Sequence, residues 1–372
     1  MNKHIVLAHV ALSIVLCPLS SSAQELRGAG STFAAGAYTS WGFSYSKERG
    51  VALIYQATGS GDGIKQILAR NVDFGATDYA LSPEELQKNG LVQFPTLVSG
   101  VVPVVNVPGI KAGQLHLTGP LLAAIFSARI TNWNDRDIQQ LNPDLRLPNL
   151  PIKCIVRADG SGTTAGFTEY LSKADADWTS RTGSGLSVNW PKSFQAVKGT
   201  DSMTNAILGV AGAIGYVSAY QVAKSHLVYP LLQNRSKIFV APTNEALLAA
   251  VKASSLTRDG EKLTYVDMPG ANVWPITDAT YVLVERTPKN PSRASNVLRF
   301  FYWSFLRGDA MASETGYVPL PTTVQARAVA SLRQVRDAND TPLNFMSRFL
   351  NNAPTQLSGN RTTEIVPAVA GS

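Results

Sequence analysis

Two rhythms of apolar residues alternate along the chain. Short runs such as "VALIYQ", "VVPVVNVP", "KCIVR" and "DATYVLVE" read as buried strands. Between them lie stretches with helical spacing, among them "GPLLAAIF", "TTAGFTEYLSK", "TNEALLAAVKAS" and "PSRASNVLRFFYWSFLRG". From Glu25 the order is strand, turn, helix, repeated. "LRGAG" leads into a helix through "AAGAYTSWGFSYSKE", with Tyr38, Trp41 and Tyr45 on one face; "VDFGATD" is a strand after the short helix "IKQILAR". In "SPEELQKNG", Ser82 is placed as N-cap, Pro83 at the first helical position and Gly90 as the stop. The alternation predicts α/β layers with largely parallel sheets. The aromatic run "FFYWSF" resembles a sugar platform, but at helical spacing it reads as core. No fixed-period repeat occurs.

A chain of 372 residues, 45% hydrophobic and 16% charged, fits a two-lobed fold with an ordinary core. Its net charge of +7 comes from scattered Lys and Arg without a basic run, so no nucleic-acid partner is expected. The charge gives a weak pull on anions. The first 23 residues read as a cleavable leader: Lys3, an apolar run from Ile5 to Leu16, then Ser21-Ser22-Ala23 as cleavage site. Leu16 before Cys17 argues against lipid attachment. Residues from about 352 onward read as a flexible tail. Beyond the leader one cysteine remains, Cys154, in a strand and therefore read as core.

Three turns rich in glycine, serine and threonine stand before predicted helices. They are "GAGSTF" from Gly28, "TGSGDG" from Thr58 and "DGSGTT" from Asp159. A helix start offers unpaired N–H groups and partial positive charge, which together favour anions. Arg157, just before the third turn, has the paired donors that suit a tetrahedral oxyanion, and Asp159 is placed to hold its fork. Other chemistries fit less well. The dipeptide Gly-Lys is absent, which excludes a P-loop, and the glycines lack dinucleotide spacing. "DGSGTT" is not a nucleophile elbow. His116 and His226 stand outside any motif, and no metal-ligand spacing appears, so no cofactor or metal is expected.

Together "GAGSTF", "YQATGSGDGIKQI", "VDFGATDYALS", "FPTLVSGVVPVVNVPG", "RADGSGTTAGFTEYL" and "GAIGYV" resemble the periplasmic phosphate-binding proteins of ABC transporters, from about Gly28 to Pro319. The resemblance implies a two-lobed α/β fold of the type II periplasmic binding proteins. It also assigns roles. Thr32 would bind phosphate by its hydroxyl and Phe33 by its backbone N–H, with Ser60 at the next helix start. Arg157 would be the clamp, Asp159 its partner, and Ser161, Gly162 and Thr163 the helix-start donors. Asp78 would accept a proton from the ligand. Phosphate carries that proton near neutral pH and sulfate does not, so an acceptor-only group discriminates between them. The rival reading makes Asp78 a helix cap.

Departures are local. "SGDG" stands where relatives carry Ser-Ser-Gly-Gly, and Asp62 is expected to cap a helix beginning at Ile64 rather than point inward. "FAAGAY" replaces a proline-bearing sequence, and the chain beyond about Thr341 exceeds the family's need. The expected lobes are 24–99 with 277–372, and 100–276, with crossings near "VSGVV" and "WPITDA". The expected function is capture of inorganic phosphate in the periplasm by a monomer, without catalysis, and delivery to a permease with a cytoplasmic ATPase. The rivals are another oxyanion as ligand, or an exported phosphatase.

Overall fold

Ser82, Pro83 and Glu85 start a helix as their order implies. The Ser82 hydroxyl accepts the Glu85 N–H at 3.2 Å, the Glu85 carboxylate accepts the Ser82 N–H at 2.7 Å, and Gly90 closes the helix in the left-handed region. The computed structural model describes residues 24–254 and 265–346. The expected leader and tail lie outside them.

In chain order the elements begin β1 (Gln24–Gly30), α1 (Ala35–Arg49), β2 (Val51–Gln56), α2 (Ser60–Leu68), β3 (Phe74–Thr77), α3 (Pro83–Asn89) and β4 (Leu91–Asn106). Next come β5 (His116–Leu117), α4 (Gly119–Phe126), α5 (Arg136–Leu141), β6 (Lys153–Arg157), α6 (Gly162–Ala174) and α7 (Ala176–Arg181). Then follow β7 (Gln195–Val197), α8 (Thr200–Gly209), β8 (Ala213–Ser218), α9 (Ala219–Ser225), β9 (Leu231–Gln233), β10 (Phe239–Val240) and α10 (Asn244–Ala253). The last are β11 (Thr277–Glu285), α11 (Pro291–Arg307), α12 (Asp309–Glu314) and α13 (Thr322–Leu332).

Eight strands form one sheet in the order β2-β1-β3-β11-β4-β8-β6-β7, and a small sheet has the order β10-β9-β5. The expectation of largely parallel sheets is corrected. β1 is parallel to β2 and β3, and β6 to β7 and β8, but β11 is antiparallel to β3 and β4, and β4 to β8. A strand buried on both faces reads as an unbroken apolar run, and such a run carries no direction.

β4 serves both halves. Up to Gly100 it pairs with β11, and from Val101 to Asn106 with β8. The chain returns just before β11, where the Val101 N–H donates to the Ile276 carbonyl at 2.8 Å. Trp274 is fully buried there, its indole N–H on the Val101 carbonyl at 3.0 Å. Its ring lies close enough to Gly100 that an added Cβ would stand 3.1 Å from Nε1.

The aromatic run of α11 is core: Phe300, Phe301, Trp303 and Phe305 are buried. Phe301 meets Phe74 edge-on at 5.0 Å, a contact that adds about 0.5–1.5 kcal/mol beyond area burial. In the other half Phe167 stacks on Tyr216 at 4.5 Å. Cys154 is buried in β6, and burial pushes its thiol up to about 12. His116 stacks on Phe239, and His226 ends α9 at φ 50.

Candidate functional site

β3 ends at Thr77, and the next residue, Asp78, points its carboxylate into a ring of hydroxyls. Ser31 Oγ donates at 2.6 and 2.9 Å, Thr280 Oγ1 at 2.5 Å and Ser60 Oγ at 3.1 Å. The Asp78 N–H donates in turn to Ser60 Oγ at 3.0 Å. Burial raises the Asp78 carboxyl above its usual range, and the donors with the charge of Arg157 only partly oppose it. Asp78 caps no helix, since Ser82 fills that role.

α1 begins at Ala35, one residue after the expected start, and its N-cap Ala34 has no side-chain hydrogen bond to give. Ser31 instead accepts the Ala34 N–H at 3.1 Å while donating to Asp78. Thr32 Oγ1 lies 2.8 Å from Thr200 Oγ1 and accepts from Arg157 Nη1 at 3.3 Å. Phe33 is buried in the core, its carbonyl held by Tyr317 Oη at 2.6 Å. The second turn is corrected. α2 starts at Ser60, not Ile64, so Asp62 falls within its first turn and caps nothing at Ile64. Its carboxylate accepts from Thr58 Oγ1 at 2.6 Å and Gln66 Nε2 at 3.5 Å, neither of them a neighbour of Asp78.

The third turn carries the arginine. Arg157 ends β6, buried, with Nε on Asp159 Oδ1 at 2.7 Å and Nη2 on Asp159 Oδ2, which leaves Nη1 toward Thr32. Asp159 also accepts the Gly199 N–H at 3.0 Å. Burial pushes the Asp159 carboxyl up, but its bond to Arg157, the Arg157 charge and backbone N–H groups bring it below the usual range. Ser161 is the N-cap of α6, accepting the Thr164 N–H at 3.2 Å. Its own N–H is taken by the Leu186 carbonyl at 2.8 Å, so its hydroxyl hydrogen is the donor it retains. Gly162 and Thr163 follow in the first turn, where helix geometry leaves N–H groups unpaired.

The halves meet here. The Gly61 N–H donates to the Gly160 carbonyl at 2.9 Å. Gly59, at φ 104, packs so that an added Cβ would stand 2.3 Å from Asp159 Oδ2. Of the nine residues singled out in the sequence, Thr32, Ser60, Asp78, Arg157, Asp159 and Gly162 are thus brought together at one seam, Ser161 and Thr163 flank Gly162, and Phe33 is buried in the core. Ser31, Thr280, Thr200 and the Gly199 N–H join them without having been anticipated. Chemically the seam offers guanidinium, hydroxyl and N–H donors, with the Asp159 carboxylate engaged by Arg157 and the Asp78 carboxylate facing the hydroxyls. Among the described residues no group of three or more His, Cys, Asp or Glu is placed to hold a metal.

The chain matches the model of the PBP superfamily domain over residues 18–307, and its fold is that of the two-lobed periplasmic binding proteins. It is similar to the phosphate-binding protein PstS of Haemophilus influenzae, 43% identical over 305 residues that cover 82% of this chain and 91% of that protein. PstS of Xylella fastidiosa is 39% identical over 298 residues, covering 80% and 82%. The chain belongs to the PstS family of phosphate-binding proteins. The fold also matches a high affinity periplasmic phosphate-binding protein bound with phosphate, with TM-score 0.67 and 20% identity over 87% of this chain and 97% of that one. A phosphate binding protein from Stenotrophomonas maltophilia gives TM-score 0.62 and 21% identity over 83% and 94%.

Proposed function

We propose that the protein captures inorganic phosphate between its lobes and delivers it to an ABC-type phosphate permease with a cytoplasmic ATPase. The lobes, 24–99 with 277–372 and 100–276, would part about the two crossings beside Gly100 and Ile276 and close on the anion. Arg157 Nη1, the hydroxyls of Thr32, Ser60 and Ser161, and the N–H groups of Phe33, Gly162 and Thr163 are the proposed donors. Asp159 keeps the guanidinium in place. The carrying observation is Asp78, a buried carboxylate facing the same seam as Arg157. A ligand seated there must bring negative charge for the arginine and a proton for the carboxylate, as phosphate does and sulfate does not.

The protein would act in the periplasm as a monomer, released by cleavage after Ala23 without a lipid anchor. Among the described residues no helix is long and apolar enough to cross a membrane. No chemistry on the ligand is proposed: the Ser31, Ser60 and Thr280 hydroxyls that meet the Asp78 carboxylate serve as its donors, and the relatives are named as binding proteins. Calorimetric titration with phosphate, sulfate and arsenate, run beside a phosphatase assay, tests the reading. Tight phosphate binding without turnover is expected. Turnover, or sulfate bound more tightly than phosphate, would end it.

A further inference from the structure

Asp278 has a buried carboxylate that the proposed anion contacts leave unused. It lies on β11 two residues before Thr280, on the same face of the strand, and is 4% exposed. Oδ1 accepts the Ala279 N–H at 2.9 Å. Oδ2 is withdrawn from solvent and has no hydrogen-bond partner among the described residues. A Cβ added to Gly166 would stand 2.8 Å from that Oδ2, so the oxygen lies against α6, across the seam. Ionised carboxylates are strongly disfavoured in such surroundings.

The groups around it do not relieve the charge. β3 brings Asp78, and α6 brings Glu169, whose carboxylate pairs with Lys173 at 3.3 Å. Glu85 of α3 is engaged by the Ser82 N–H. Tyr265 and Tyr281 have buried hydroxyls without hydrogen-bond partners among the described residues. Across the strand pair stands Ser99 of β4. α2 and α10 also pack on β11, presenting Ile67 from one and Ala246, Leu247, Ala250 and Val251 from the other. Burial first, then the charge of Asp78, push the Asp278 carboxyl well above its usual range, against the single N–H of Ala279. A cavity of about 760 Å³ is bordered by Asp78, Glu169, Tyr265, Asp278 and Tyr281.

We propose that Asp278 is an affinity-determining residue that couples anion capture to proton uptake. While the lobes are apart, water solvates its carboxylate. Closure places Oδ2 against Gly166, and one proton from solvent then converts the carboxylate to the neutral acid. No other bond changes. The inference rests on the phosphate-binding, lobe-closing reading above. It adds a proton-linked step at a residue that does not touch the anion.

The test compares wild type with Asp278→Asn, whose amide oxygen can still accept the Ala279 N–H. Titration with phosphate at pH 6 in buffers of different ionisation enthalpy counts protons taken up per anion. The protons of phosphate are common to both proteins. Wild type should take up close to one proton more than the variant, and its affinity should fall relative to the variant by up to about tenfold per pH unit above that. Should the variant fail to fold, infrared difference spectra of wild type, phosphate-bound minus free, provide the second reading. They should gain a protonated-carboxyl band. Phosphate binding with equal proton counts, or without that band, overturns this inference and leaves the proposed function standing. Absence of phosphate binding by wild type overturns both.

Discussion

Gly162 at the start of α6 lies directly against Asp78. A Cβ added to the glycine would stand 2.4 Å from the Asp78 Cβ and 2.7 Å from Ser60 Oγ. The two residues come from opposite sides of the seam, so under the proposed closure their contact would form only when it shuts. Gly162→Ala should therefore separate folding from binding. Alanine is the better helix residue by roughly 0.5–1 kcal/mol, so the melting temperature should hold or rise. Phosphate affinity should fall by about 30-fold, the equivalent of roughly 2 kcal/mol of hindered closure. Calorimetry and a thermal melt on the same sample check both halves of the claim.

Asp78→Asn tests selectivity. The amide replaces one acceptor oxygen with a donor, so a fully deprotonated oxyanion no longer faces two lone-pair-bearing oxygens. The phosphate-over-sulfate preference should narrow by at least about tenfold, or ~1.4 kcal/mol, in competition titrations. An unchanged ratio would remove Asp78 from the selectivity argument.

Arg157→Lys tests the clamp. An ammonium cannot bond both oxygens of Asp159 and still direct a fixed donor toward Thr32. Phosphate affinity should drop by the worth of a charged hydrogen bond, about 1.5–3 kcal/mol, or roughly 10- to 150-fold. Equilibrium dialysis at fixed ionic strength measures it.

The two cleft carboxylates should affect acid stability with opposite signs. Asp159 is held below its usual range, so its contribution is present above the unfolded value near 4 and is lost as pH falls through the folded one. Asp78 is held above its range, so its contribution is present below the unfolded value and is lost as pH rises through the folded one. Urea unfolding at a series of pH values should show the gap between wild type and Asp159→Asn shrinking as pH falls below about 4. For Asp78→Asn, stability relative to wild type should improve as pH rises from about 4. Parallel curves for all three proteins would contradict both assignments.

Much of this was legible in the sequence where local rules decide the outcome. Ser82 and Glu85 specify their own cap, and Arg157 and Asp159, two residues apart, form their pair within one turn of chain. Asp62 shows the limit of that reading, because Gly59 allows α2 to start at Ser60 and moves the carboxylate into the first turn. Strand direction was not legible, since β4 and β11 are apolar whichever way they run. Nor were Thr200 and Thr280, which meet Thr32 and Asp78 from 168 and 202 residues away in the chain. Their roles arise only when the sheet brings the segments together.

Trp274 sits fully buried at the crossing, bonded to Val101 and packed on Gly100, whereas Trp41 and Trp303 lie in one half and Trp133, Trp178 and Trp190 in the other. Indole emission follows the surroundings of the ring. Under the proposed closure, a twist of the two connecting strands would change those surroundings at Trp274 before it reached the other five. On that reading the chain would carry an optical gauge of its own bending, seated where its halves are joined, and would need no attached dye.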